Sequence, residues 1–288
     1  MVCQRRAWLT AVLVAACAGL AHGVPAPAPV RQAPPTAAEI VARNAAARGG
    51  TDAWQKISSM AWAGRVELGS AAARQLPFML QQKRPNKTRF EILSEGQRSV
   101  RAFDGTTGWK SKPNPATGRP ETQTYSADEL AFARGAQVIA GPLMEYVARG
   151  AAVELVGEGP IEGRKAWVLE IKLASGGGQR VWVDAETYLE LRHDRSVRGP
   201  MGAPGVQVTV LFRDYRAFEG LQLPTVIETS AEPGRPPNRL VIEKVALNPE
   251  LDDSTFEKPL ESFSRRRGVA VDTRELSTRQ PGQSASRP

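Results

Sequence analysis

The sequence predicts a mainly β domain in which a large antiparallel sheet follows one helix and is interrupted once by a helical insertion. Three observations predict this fold: apolar residues alternate with a period of two over most of the chain, turn residues recur about every 8–12 positions, and two capping boxes mark helices. About 11–13 strands are expected, and the domain is predicted to extend over residues 36–263.

The domain is predicted to begin with a helix. Thr36-x-x-Glu39 is a capping box, in which side chains at the start of a helix satisfy its free N–H groups. An apolar stripe follows at helical spacing, and Gly49-Gly50 ends the helix because glycine readily adopts the left-handed conformation found there. A short second helical turn is expected over residues 51–57.

Strands are predicted wherever apolar and polar residues alternate. Before the insertion, residues such as Trp62 and Val66 alternate with polar or small neighbours, and turn residues such as Pro85-Asn86 separate the strands. After the insertion, strands are expected over residues 152–157, 164–173, 179–184, 187–196, 205–214, 222–229 and 238–247.

The mid-chain insertion is predicted to contain two helices. Ser126-x-x-Glu129 is a second capping box and opens a helix that extends to about Arg134. Gly141-Pro142 is expected to open another, since proline is favoured in the first turn of a helix. A large curved sheet needs cover on its concave face, and these helices together with the N-terminal one are the available cover.

The formal net charge of +8 belongs to the two ends of the chain. Residues 1–35 hold three Arg and no acidic residue, and residues 265–288 hold six Arg and two acidic residues. The body, residues 36–264, holds 29 basic and 28 acidic residues, so it is almost neutral. This distribution disfavours nucleic acid as a partner.

The first 23 residues read as an export signal, with Arg5 and Arg6 before an apolar run and small residues at its end. Val14-Ala15-Ala16-Cys17 also has the form of a lipobox, so lipidation at Cys17 and simple cleavage are both open. Residues 24–35 are predicted to be a Pro-rich linker and residues 264–288 a disordered Arg-rich tail.

Residues suited to catalysis are scarce. Cys3 and Cys17 are the only cysteines and lie in the signal region, so the domain has no thiol. His193 is flanked by charged residues, is expected on the solvent face of a strand, and has no evident nucleophile to serve. No metal-ligand spacing or cofactor motif occurs. These observations disfavour a hydrolase and predict a protein without metal or cofactor.

Several strands carry large apolar residues on both faces. Trp167, Leu169 and Ile171 point one way, and Val168 points the other. Two apolar faces indicate either an ordinary core covered on both sides or one packed face and one that lines a cavity for an apolar ligand.

Four short segments resemble the periplasmic lipoprotein carriers of the LolA/LolB type, in the group called outer-membrane lipoprotein-sorting proteins. They are residues 82–86 (QKRPN), 103–109 (FDGTTGW), 141–144 (GPLM) and 254–256 (STF). The resemblance implies a half-open antiparallel β-barrel in which an inserted helical lid lies over an apolar cavity for acyl chains. Arg84 matches the family arginine that ties the closed lid to the barrel through lid backbone carbonyls.

The resemblance, together with the alternation, indicates which residues form the cavity and the lid. The cavity wall is expected to be drawn from Trp62, Val66, Phe78, Leu80, Phe90, Ile92 and Trp109. The lid is expected to present Leu130, Phe132, Val138, Ile139, Leu143, Met144 and Tyr146.

The expected function is therefore that of a non-enzymatic, monomeric periplasmic carrier for the acyl chains of lipoproteins or other lipids. Its expected partners are a donor protein in the inner membrane and an acceptor in the outer membrane. The alternative is an envelope interaction module of the same fold, anchored through a lipid on Cys17 and without cargo transport.

Overall fold

A computed structural model describes residues 33–69, 75–135, 139–146, 150–172, 178–197, 205–231 and 236–259. The predicted export signal with Cys17, most of the Pro-rich linker, lid residue Val138 and the Arg-rich tail lie outside the described residues. No helix in these ranges is both long enough and apolar enough to cross a membrane.

The described chain contains three α-helices and thirteen strands. The helices are α1 (Ala37–Ala47), α2 (Thr51–Gln55) and α3 (Ala127–Gly135). The strands are β1 (Ser59–Glu67), β2 (Gln75–Lys83), β3 (Lys87–Ser94), β4 (Gln97–Phe103), β5 (Gly108–Pro113), β6 (Pro120–Thr124), β7 (Ala152–Ile161), β8 (Arg164–Lys172), β9 (Gly178–Asp184), β10 (Glu190–Val197), β11 (Val206–Phe218), β12 (Leu221–Ser230) and β13 (Asn238–Leu247).

The N-terminal helix forms as the sequence predicts. The Thr36 hydroxyl accepts from the backbone N–H of Glu39, and the Glu39 carboxylate accepts from that of Thr36 at 2.7 Å, which completes the capping box. Gly49, with φ of +108°, ends α1 against the hairpin between β11 and β12. A Cβ at Gly49 would lie 2.5 Å from the carbonyl oxygen of Gly220, so only glycine fits this contact.

The thirteen described strands form one antiparallel sheet. Its order is β6-β5-β4-β3-β2-β1-β13-β12-β11-β10-β9-β8-β7, so the first and last strands of the domain meet at the centre. In the described residues β6 and β7 are the two edges and do not pair with each other, which makes the sheet half-open. The predicted mainly β fold with an N-terminal helix and a helix after β6 is therefore confirmed.

One face of the sheet, here called the inner face, is the face on which Trp62 lies. The strand register places Leu80 opposite Trp62 and Phe90 opposite Leu80, so these side chains share that face. On the far half of the sheet, Leu169 and Val181 lie on the same face and pack against Ile40 of α1. The inner face thus carries the main core, and α1, α2 and residues 139–146 cover it.

The contacts of α3 show that the sheet is strongly curved. Glu129 bonds to β4 and β5, whereas Phe132, one helical turn later, lies on Arg195 of β10. Seven inter-strand spacings separate β4 from β10, roughly 34 Å along a flat sheet. Residues three apart on a helix rise by only about 4.5 Å. The sheet therefore curls until its two halves face each other beneath α3.

The second helix predicted in the insertion does not form in the described residues. Residues 142–146, which follow Gly141, are turns rather than a helix. Ile139 and Leu143 are both buried, and the Arg48 guanidinium packs against Gly141, whose φ is +82°. Tertiary contacts on both sides of Gly141 hold this segment in an irregular path, and they override the local preference of Pro142 for a helix start.

Candidate functional site

The structure brings six of the seven predicted wall residues together on the inner face. Three of them are buried, namely Trp62, Val66 and Phe78. The other three, Leu80, Phe90 and Ile92, are only half-buried, although they pack against the same core. The apolar wall is therefore shielded from solvent near β1 and partly exposed to solvent toward β3.

Trp109 does not belong to this wall. It pairs with Ala102, which pairs with Arg89, and this register places all three on the face opposite Phe90. There Trp109 packs with Val100 and Ala102, and its indole N–H donates to the carbonyl of Phe256 at 2.9 Å. The expectation that Trp109 lines the cavity is thus corrected, because it lies one residue out of phase with the inner face.

A cavity of about 360 Å³ adjoins the uncovered end of the wall. Its size lies at the lower end of the range for small-molecule sites. Phe90 and Ile92 form its apolar side, and strands β4 to β6 supply the rest. The residues from those strands are Ser99, Val100, Arg101, Lys110, Ser111, Lys112, Glu121 and Gln123. The cavity thus combines an apolar floor with a cationic side.

Helix α3 is held beside this cavity by charge rather than by packing. Lys110 donates to both oxygens of the Glu129 carboxylate at 2.9 and 3.0 Å, and Arg101 donates at 2.8 Å. Partial burial raises the pKa of Glu129, but bonds from Lys110, from the Ser126 backbone and from Arg101 outweigh it and hold the pKa at about 2. None of the residues of α3 is buried, and Phe132 is 41% exposed.

The C-terminal end of α3 is held by Asn86. Its side-chain amide donates to the backbone carbonyls of Ala133 and Arg134, both at 3.3 Å. Carbonyls at the end of a helix lack partners within the helix and accept such bonds readily. Asn86 thus does for α3 what the family resemblance implied for Arg84.

Arg84 binds two other segments. It donates to the backbone carbonyl of Ile57 at 2.8 Å and to that of Trp54 at 3.4 Å, at the end of α2, and it forms an ion pair with Glu145. Arg84 was expected to bond to carbonyls at the end of a lid helix. It does bond to carbonyls at a helix end, but that helix is α2. Among the described residues of the insertion, Arg84 bonds to the Glu145 carboxylate alone.

Residues 139–146, here called the buried strap, are attached differently from α3. Leu143 is fully buried, Ile139 is nearly so, and Met144 packs against the wall cluster, whereas Tyr146 is half-buried. The Arg48 guanidinium donates to the carbonyl of Ala140 at 2.7 Å. The predicted lid residues therefore fall into two groups, since Leu130 and Phe132 of α3 are half-buried or exposed.

Arg48 belongs to a buried polar cluster. Its side chain lies 3.4 Å from the Glu190 carboxylate and stacks over Trp54, with 4.4 Å between the guanidinium carbon and the ring centroid. The Tyr215 hydroxyl donates to the Glu190 carbonyl at 3.0 Å. Burial raises the pKa of Glu190, and the Arg48 charge opposes that rise. Periodicity gave no signal for this cluster, because Arg48 stands at the end of a helix like many exposed arginines.

His193 does not lie on the solvent face of its strand as expected. The register places it opposite Val181 and Val210 on the inner face, where it is half-buried. Burial lowers the pKa of His193 to about 4, with the Arg195 charge as a second cause, so the ring is neutral at pH 7. Its Nε2 lies 3.0 Å from the Gln179 amide oxygen. Asp194, its neighbour in sequence, lies on the other face and binds Arg192.

A second, larger cleft of about 720 Å³ lies at the end of the sheet near α2. Its lining includes Thr51, Asp52, Lys56, Glu219 and Asn248, which are polar, and it opens widely to solvent. It lacks the continuous apolar wall that Leu80, Phe90 and Ile92 provide.

The apolar residues beside the smaller cavity are suited to binding an apolar ligand. Phe90 and Ile92 of β3 can hold an aliphatic chain, whereas Arg101 and Lys110 beside them are already paired with Glu129. In the described ranges no group of three or more His, Cys, Asp or Glu side chains is arranged to hold a metal ion.

Solved structures similar to this chain include a LolA superfamily protein, NE2245 from Nitrosomonas europaea. It has 15% sequence identity and a TM-score of 0.49, with 78% of this chain and 99% of that chain covered. A putative outer membrane lipoprotein-sorting protein domain from Vibrio parahaemolyticus has 14% identity and a TM-score of 0.48, with coverage of 76% and 94%.

A DUF1329 family protein from Desulfovibrio piger is similar to the same degree, with 15% identity, a TM-score of 0.49 and coverage of 77% and 97%. No family model matches the chain, and no curated protein matches it.

Proposed function

We propose that this protein is a non-enzymatic carrier that holds the acyl chains of lipoproteins or other lipids on the inner face beneath α3. One observation supports the proposal above all. Phe90 and Ile92 stand half-buried beside a cavity of about 360 Å³, and the helix next to them buries none of its own residues. An apolar surface that is incompletely covered is stabilised when an aliphatic chain covers the rest of it, because apolar area is removed from water.

The energetics favour entry of a chain over closure by α3. Each CH₂ group buried contributes about 0.8 kcal/mol, so a chain of about twelve carbons offers on the order of 10 kcal/mol before ordering costs. The contacts of Glu129 and Asn86 are partly exposed, and bonds of that kind contribute about 1 kcal/mol each. A lipid can therefore displace α3 from the wall, and its departure lets α3 return.

The site of action that fits this function is the periplasm. An N-terminal segment of the export type, with Arg5 and Arg6, supports delivery there, and a lipid on Cys17 is the alternative that would anchor the protein to the outer membrane. In the soluble form the carrier is a monomer that takes its cargo from an inner-membrane donor and gives it to an outer-membrane acceptor.

The test is uptake of a fluorescent acyl probe by delipidated protein. Ile92→Asp places a charge on the apolar wall and is expected to weaken probe binding at least tenfold, because desolvating a carboxylate beside the chain is costly. Leu93→Asp is the matched control, since Leu93 is the next residue, points to the opposite face and is 41% exposed. It should bind the probe like the wild type.

Circular dichroism and thermal unfolding check that both variants fold. A delipidated wild type that takes up no acyl probe would contradict the carrier proposal and favour an interaction module without cargo. If Ile92→Asp and Leu93→Asp lost the same amount of probe affinity, the probe would bind away from the wall.

A further inference from the structure

Arg195 lies on the inner face of β10 among apolar side chains. The register sets it opposite Val208 of β11 and Gln179 of β9. The Phe132 ring of α3 covers it, with 4.7 Å between the guanidinium carbon and the ring centroid. Its Nε atom is buried and has no hydrogen-bond partner. A cation thus stands inside the curve of the sheet, directly beneath the helix that closes it.

No carboxylate within the described ranges pairs with Arg195. Asp194 lies on the outer face, where both its oxygens accept from Arg192. Glu129 of α3 binds Arg101 and Lys110 on the opposite half of the sheet. The nearest titratable side chain on the same face is His193, which is neutral at pH 7.

Arg195 is half-buried, and a partly desolvated charge without a counter-ion is costly, so folded proteins seldom keep one without a partner. Burial lowers the pKa of Arg195, which reflects the same cost, although a guanidinium stays protonated at neutral pH. The cation can obtain its counter-ion from a molecule that enters the space beneath α3, and binding then recovers the free energy that the unpaired charge costs the empty protein.

Within the described ranges no group accepts a hydrogen bond from Arg195. The Phe132 ring lies over its guanidinium carbon, and a guanidinium offers N–H donors in its own plane that can bind a carboxylate or phosphate in a bidentate manner. Gln179 stands beside it with its amide oxygen turned toward His193 Nε2, which leaves the amide NH₂ group turned away from His193. Both residues can donate to one anion.

We propose that Arg195, assisted by Gln179, is the binding site for the acidic group of the ligand, so that the cargo is an anionic amphiphile rather than a neutral one. The inference rests on the carrier function proposed above. The acidic group lies under Phe132, and the chain runs along the apolar inner face. The carboxylate of a fatty acid and the phosphate of a phospholipid share this chemistry.

The experiment compares dansyl-labelled undecanoic acid with its methyl ester, which has the same chain and no charge. The delipidated wild type is expected to bind the acid about tenfold more tightly than the ester, since a charge-assisted bidentate contact is worth at least that factor. Arg195→Leu should lose this preference while binding the ester as before, and Arg195→Lys should keep part of it.

Arg180→Leu is the matched control, because Arg180 follows Gln179 in β9 but points to the outer face, with 58% of its side chain exposed. It should keep the full preference. Arg195→Leu should also unfold at a temperature no lower than the wild type, since it removes an unpaired, half-buried cation. This result separates a role in binding from a role in the fold.

Competition by dodecanoate and by dodecyl phosphate, with dodecanol as the neutral reference, distinguishes the two sources of the acidic group. The stronger competitor identifies a carboxylate or a phosphate. Equal competition by all three, equal wild-type affinity for acid and ester, or a preference that survives in Arg195→Leu would overturn the Arg195 site and leave the carrier function standing. Failure of the wild type to bind either probe would overturn both.

Discussion

The two parts of the insertion lie side by side over the same face of the sheet, yet they are attached by opposite means. In the buried strap, residues 139–146, Leu143 is fully buried in the core, and the Ala140 carbonyl accepts a buried hydrogen bond from Arg48. Helix α3 buries no residue and is attached at its rim by Glu129 and Asn86.

This difference in attachment indicates that the two parts have separate roles. Apolar burial is strong and indifferent to salt, whereas partly exposed ion pairs are weak and screened. The strap therefore belongs to the permanent core, and α3 is the part that can leave and return. Four predictions test this division, in order of decreasing effect.

The first concerns the polar anchor of the strap. Arg48→Met removes the bond to the Ala140 carbonyl and leaves Glu190 buried without its cation, so the free energy of unfolding should fall by about 3–5 kcal/mol. Urea denaturation at pH 7 measures the loss. The double variant Arg48→Met/Glu190→Gln should recover part of it, and a loss below about 1 kcal/mol in the single variant would show that the strap does not depend on Arg48.

The second compares one leucine from each part. Leu143→Ala should lower the free energy of unfolding by about 2–5 kcal/mol, because it opens a cavity in a fully buried site. Leu130→Ala, in α3, removes the same atoms from a half-buried position and should cost less than about 1 kcal/mol. Equal costs for the two variants would mean that α3 is part of the core.

The third uses His193 to ask whether the inner face beneath α3 is dry. The folded pKa of about 4 lies below the ordinary 6.5, so the unfolded state binds more protons between these values and stability declines as pH falls from about 6.5 to 4. The wild type should lose at most about 3 kcal/mol more than His193→Gln over this window. Urea titrations at pH 7, 5.5 and 4 measure the difference. Parallel curves for the two proteins would show that His193 is in contact with water.

The fourth separates Asn86 from Arg84. Asn86→Leu should raise hydrogen exchange of the α3 amides about fivefold to tenfold, because two bonds of about 1 kcal/mol or less hold the end of that helix. Arg84→Leu should raise exchange in the strap and at the end of α2 instead, where its partners lie. Faster exchange of α3 in Arg84→Leu alone would restore the role that the family resemblance implied.

The sequence was sufficient to predict the elements that depend on local patterns. Both capping boxes form, and the strand expected over residues 238–247 coincides with β13. Alternation, together with the family resemblance, also placed the six wall residues on one face, including Phe78 and Phe90, whose ring centroids lie 5.8 Å apart.

What could not be predicted depends on contacts between distant parts of the chain. Trp109 was assigned to the wall with the other six residues, but the phase of β5 relative to β4 decides its face, and that phase is set by the turn at Asp104. Gly141-Pro142 is locally typical of a helix start, and the burial of Ile139 and Leu143 with the contact of Arg48 overrides that preference. That Arg195 lacks a carboxylate partner in the described ranges becomes clear only from the structure, in which Asp194 binds Arg192 and Glu129 binds Lys110.

The unpaired edges of the sheet affect how far its curvature can change. In a closed barrel, the number of strands and their stagger fix the diameter. Here β6 and β7 do not join in the described residues, and Pro120 on one and Pro160 on the other discourage further strands from docking. The sheet can therefore widen or tighten its curl without breaking an inter-strand hydrogen bond, so that in the proposed carrier the bulk of the ligand, rather than the strand count, would set the width of the inner face.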